Sequence, residues 1–135
     1  MNHHIHIEIA LPALPKQVMH MLTQHKEVAL WTGENCVFEA REGGNIEMFD
    51  GWMSGKVLRL SESELHYTWR TNEWDSSVAD SEVKMVLKKD GDHTHLVLDQ
   101  TGLPDENERD SQHSFWIELF FTPLEDYLMV RFHRD

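Results

Sequence analysis

With one cysteine, Cys36, the chain can form no internal disulfide. It is also short of positive charge: 12 Lys and Arg stand against 24 Asp and Glu, for a formal charge of −12. Such a charge repels nucleic-acid phosphates and anionic lipid head groups over about one Debye length, which sets nucleic acid and membranes aside as partners. No uninterrupted apolar run reaches the roughly 18 residues of a bilayer span. No charged-then-apolar leader opens the chain, so a soluble, cytoplasmic protein is expected. The G-x-S-x-G elbow, the P-loop and the dinucleotide fingerprint are all missing, which removes the footholds for nucleophilic and phosphate chemistry and leaves no cofactor expected.

What the chain does have is aromatic side chains. They make up 10% of its 135 residues and include five tryptophans. A single domain over 1–135 can bury about two-thirds of its unfolded surface, so a full core is within reach.

The opening "HHIHIEIAL" alternates Ile5, Ile7 and Ile9 with His4, His6 and Glu8, the pattern of a strand buried on one face. Pro12 ends it, and Pro15 suits the first turn of a helix that carries Val18, Met21 and Leu22. "KEVALWTG" continues as a second short helix closing at Gly33. Six further strands follow in "CVFEAR", "NIEMF", "WMSGKVLRL", "ELHYTWRT", "SEVKMVLKK" and "THLVLDQT". The turn chemistry between them favours antiparallel hairpins. The last apolar segment, "FWIELFFTPLEDYLMV", has helical spacing, with Asp110 or Ser111 as its cap unless the helix starts earlier in "DENERD". Pro123 inside it predicts a kink or a break. The fold class is therefore α+β: a curved, seven-stranded antiparallel sheet whose apolar face is covered by one long C-terminal helix.

Five pieces in this order carry a family resemblance: "IHIEIALPALPKQVMHMLT", "LWTG", "FDGWMSGKVLRLSESELHYTWR", "THLVLDQTGLP" and "HSFWIELFFTPLEDYL". Together they resemble the START-like, or SRPBCC, helix-grip superfamily, and within it the domains named after the activator of the heat-shock protein 90 ATPase. The chain departs from that pattern at Phe115, where family members often have glycine, and at Pro123. The resemblance implies a sheet wrapped around the terminal helix with a cavity between them.

Candidate ligand-binding residues follow from the inward-facing aromatic, methionine and leucine positions: Trp31, Met48, Met53, Trp69, Met85, Leu98, Trp116 and Phe120. Gln100 joins them as a polar group on an otherwise apolar face. These residues serve a cavity holding a small apolar or aromatic molecule, lipid-like or polyketide-like, or else ordinary core packing, which uses the same side chains. For Gln100 the alternative is a hydrogen bond to backbone or to the terminal helix. A protein-interaction role, such as modulating a chaperone, is the second functional expectation. A cyclase or hydrolase is the third, and it requires an ionisable group held inside the cavity.

The histidines of the opening strand are read as solvent-facing, with no metal site expected. His4 and His6 lie roughly 7 Å apart on one face, and Asp99 or His95 would approach them if the first and last strands pair. Cys36 is read as a structural thiol, and the acidic runs "DENERD" and "EWDSSVADSE" as solvated loops.

Overall fold

The computed structural model describes residues 3–133. The chain runs β1 (His3–Leu11), α1 (Pro15–Thr23), α2 (His25–Thr32), β2 (Val37–Phe38), β3 (Asn45–Met48), β4 (Met53–Leu60), β5 (Glu64–Thr71), β6 (Ser81–Asp90) and β7 (His93–Leu103). It ends in α3 (Glu106–Phe115), a π-helical segment (Trp116–Phe121) and α4 (Thr122–Phe132). The strands form one antiparallel sheet in the order β1-β7-β6-β5-β4-β3-β2. The first strand thus closes onto the last, and the rest is a meander. Period-2 patterning decides which face is inside. Leu65, Tyr67 and Trp69 of β5, Val83, Met85 and Leu87 of β6, and Leu96, Leu98 and Gln100 of β7 are buried, while the residues between them are wetter.

β5 occupies the span that its alternation predicts. β2 does not: "CVFEAR" yields a two-residue strand, because the chain turns away at once through Arg41–Gly44. Gly55 of β4 sits between the register pairs Ser54–Arg70 and Val57–Tyr67, just before a bulge at Val57–Arg59. A Cβ there would lie 1.8 Å from the Thr68 carbonyl oxygen. The two backbones approach so closely only because residue 55 has no side chain, which lets the sheet curl over the helix.

The terminal helix corrects two expectations. It begins within the acidic run: Asp105 is the cap, accepting from the Glu108 N–H at 2.8 Å, so Asp110 and Ser111 lie inside α3 and "DENERD" is largely helix, not loop. Two carboxylates in the first turn, Glu106 and Glu108, favour that start by facing the positive end of the helix dipole. The disturbance expected from Pro123 takes the form of the π segment just ahead of it. There the Thr122 N–H reaches the Ile117 carbonyl, and the Thr122 hydroxyl donates to the same oxygen at 2.8 Å. Widening the helix in this way relieves the clash a proline ring makes with the preceding turn. It also lets Trp116, Phe120 and Phe121 all be buried.

The candidate binding face and its surroundings

All nine candidate side chains are buried, and the fold draws them from α2, five strands and the π segment onto the inner face of the sheet. They pack on one another. Ring centroids are 4.9 Å apart for Trp69–Trp116, 4.7 Å for Trp116–Phe120 and 4.9 Å for Trp31–Phe120. Met48 is register partner to Met53, and Met85 to Leu98. Phe115, a departure from the family pattern, lies parallel to Trp116 at 5.6 Å and edge-on to Trp52 at 5.0 Å. None of the nine lines the five best-formed surface grooves among the described residues.

Gln100 is the hub of a buried chain of hydrogen bonds. The Trp116 indole N–H donates to Gln100 Oε1 at 2.8 Å. The Gln100 amide donates to Ser81 Oγ at 3.1 Å, and that hydroxyl donates to the Trp69 carbonyl at 2.8 Å. One side chain thereby ties the terminal helix to β7, β6 and β5. The bond to the terminal helix was one of the two roles open to Gln100 from the sequence, but Ser81 gave no signal there. Trp31 is committed too, donating to the Met21 carbonyl at 2.9 Å and so joining α2 to α1. Trp69 is different: its Nε1 is buried with no acceptor.

No Asp, Glu, His, Lys or Arg is buried among the described residues. The ionisable group on the inner face is Tyr67, and burial pushes its hydroxyl well above the ordinary range for tyrosine. Cys36, about half buried, has its thiol pushed up to about 11, so it stays protonated and unreactive at neutral pH. The loop "NEWDSSVAD" is ordered by Arg70, which donates to the carbonyls of Val78 and Asp75 and to Asp80 at 2.8 to 3.0 Å.

On the outer face the first and last strands do pair, and the histidines there form a ladder with carboxylates. His4 and His6 both meet Asp99 Oδ1, at 3.0 and 2.7 Å, while Glu8 bridges His6 and His95 at 2.9 Å each. Lys84 and Lys88 of β6 stand opposite Asp99 and His95. Among the described residues no group of three or more His, Cys, Asp or Glu is placed to hold a metal ion. Hydrogen bonds to Glu8 and then Asp99 raise the His6 pKa above 6.5. Those from His6 and His95 hold Glu8 below the usual carboxylate range. For Asp99 partial burial acts upward, but the bonds from His6 and His4 together outweigh it and leave the carboxyl low.

The signs fix a pH window. The His6 contribution is complete below its unfolded pKa and fades as pH rises through the higher folded value. The carboxylate contributions are complete above their unfolded values and fade as pH falls through the lower folded ones. The ladder therefore supports the fold best between about pH 4 and 6.5. In an NMR titration His6 is expected to show a midpoint above 6.5 that moves down in Asp99→Asn; an unchanged midpoint would mean that the His6–Asp99 bond does not form in solution.

A sheet gripping a terminal helix, with an aromatic interior and no buried charge among the described residues, defines a helix-grip domain. Comparison with known proteins gives the family. Residues 12–129 match the family model described as activator of Hsp90 ATPase homolog 1-like protein, and the chain belongs to that family. A protein of Dictyostelium discoideum named activator of 90 kDa heat shock protein ATPase homolog is 30% identical over 92 residues, which is 67% of this chain and 24% of that protein. The chain thus matches about a quarter of that relative's length. Among solved structures, an HSP90 activator from Plasmodium falciparum superposes with a TM-score of 0.86 at 16% identity, covering 93% of this chain and 95% of that one. CalU16 from Micromonospora echinospora gives 0.78 at 25% identity, over 98% and 76%. Both share the helix-grip fold. No helix among the described residues is long and apolar enough to cross a membrane.

Proposed function

We propose that the chain is a non-catalytic binding domain that works by contact with a protein partner of the chaperone kind, heat-shock protein 90 being the first to test. The observation that carries this reading is the contrast between the two sides of the terminal helix. Its inner side is packed with aromatic rings. Its outer side leaves Leu119 60% and Val130 62% exposed, and Leu30 of the neighbouring α2 is 61% exposed. Ile117 and Met129 are exposed on the same helix, with Glu118, Glu125 and Asp126 interspersed. Apolar groups rimmed by acids suit a partner surface that is apolar with basic edges. The relatives named as Hsp90 activators support the choice of partner.

The test is ATP hydrolysis by purified heat-shock protein 90 with increasing amounts of this chain. Saturable stimulation is expected, and Leu119→Asp or Val130→Asp should abolish it without lowering the melting temperature. A flat response together with no binding would contradict the reading.

The unpartnered Trp69 Nε1 favours a second reading, in which the interior opens to hold a small apolar or aromatic molecule, lipid-like or polyketide-like, whose acceptor atom meets that N–H. A ligand so placed would change tryptophan fluorescence and raise the melting temperature across a matching panel; no response in either would remove it.

A further inference from the structure

Two residues other than glycine have left-handed backbone among the described residues, and they are adjacent: Phe49, with φ of +56°, and Asp50, with φ of +57°, in the turn between β3 and β4. For a side chain as bulky as phenylalanine that conformation is strained, and it persists only where surrounding contacts hold it. Packing and four hydrogen bonds do so here. The Asp50 N–H donates to the Asn35 carbonyl, and the Asn35 amide donates to Asp50 Oδ1, each at 3.1 Å. At the other end of the turn, the Asn72 N–H donates to the Trp52 carbonyl and the Trp52 indole donates to Glu73 Oε1, each at 2.8 Å. Asn35, Asp50, Asn72 and Glu73 are all exposed, so water can replace these bonds when the turn moves.

The turn covers the aromatic interior. Phe49 and Trp52, at its two ends, are half-buried. Phe49 stands edge-on to Phe115 at 5.0 Å, and Trp52 stands edge-on to Phe115 at 5.0 Å and to Trp69 at 6.2 Å. Beneath them the Trp69 indole N–H is buried with no acceptor, a state that costs free energy and that access of water would end. Release of the strain at Phe49 and Asp50 and hydration of Trp69 therefore both favour opening. The base of the turn is fixed by the buried register pair Met48 and Met53. We infer that residues 49–52 are a hinged cover over the interior, which lifts as a unit about that pair and admits water or a small solute to Trp69 while the terminal helix stays seated. The inference rests on neither reading of the function, and a ligand panel without response leaves it standing.

Hydrogen exchange of the tryptophan indole groups, followed by NMR on the isotope-labelled full chain under native conditions, tests it. Trp69 is expected to exchange at least about tenfold faster than Trp116, because a local opening requires less free energy than displacing the terminal helix. Asn35→Ala and Glu73→Ala, both exposed changes, should each speed Trp69 exchange by about two- to fivefold, the size of one exposed hydrogen bond, and leave Trp116 unchanged. Equal rates at Trp69 and Trp116 would overturn the inference, as would acceleration of both together, since the helix or the whole fold would then be opening. A response to Glu73→Ala alone would also overturn it, because the moving part would then be the β5–β6 loop.

Discussion

Gly55→Ala is expected to be a severely damaging single-methyl change, costing at least about 3 to 4 kcal/mol of stability, in the range that marks a specific structural clash. The new Cβ would meet Thr68 backbone atoms at 1.8 and 2.8 Å, and neither can move without separating β4 from β5. Those strands carry Met53, Val57, Tyr67 and Trp69 into the core, so parting them disturbs the whole inner face. A useful control is Gly51→Ala, in the β3–β4 turn. No atom lies within 4 Å of a Cβ there, but φ is +86°, so its cost is the strain of a left-handed backbone alone. That is roughly 1–2 kcal/mol. Urea denaturation of the two variants should separate them clearly. Equal midpoints would show that the β4–β5 approach relaxes at little cost.

Trp116→Ala is expected to cost a similar amount, about 3–5 kcal/mol, by removing a large side chain from a core that cannot close around the gap. It also removes the donor to Gln100 Oε1, leaving a buried acceptor unpaired. Trp116→Phe divides the two effects: it keeps a ring against Trp69 and Phe120 and loses the N–H. An unsatisfied buried acceptor costs about 1–3 kcal/mol. Adding Gln100→Leu to Trp116→Phe should recover part of that loss, since both polar groups are then absent. If the double variant is no more stable than the sum of the two single losses predicts, the Trp116–Gln100 bond contributes nothing, and the hydrogen-bond chain through Ser81 is not a unit.

Much of this architecture was legible because it rests on local periodicity. "ELHYTWRT" sets its strand by strict alternation, and "HHIHIEIAL" places Ile5 and Ile7 inside by the same rule. What the sequence left undecided depends on contacts between distant segments. Gln100 was marked as a polar residue on an apolar face, but its partners on Ser81 and Trp116 become visible only once β6, β7 and the terminal helix are assembled. The Asp105 cap was overlooked because acidic "DENERD" reads as solvated loop, although Pro104 and the spacing to Glu108 are ordinary signals of a helix start. The same run shows how weak composition is beside capping. Pro123 signalled a disturbance, and nothing local could say that a π segment would absorb it.

The inner face is packed as a core, and the proposed partner contact falls on the outer helix face. Hydrogen–deuterium exchange of the chain with and without heat-shock protein 90 tests that division most directly. Added protection is predicted in peptides spanning 117–130 and 27–32, with β5 to β7 unchanged. Protection confined to β5 to β7, or none at any chaperone concentration that saturates the ATPase response, would contradict it.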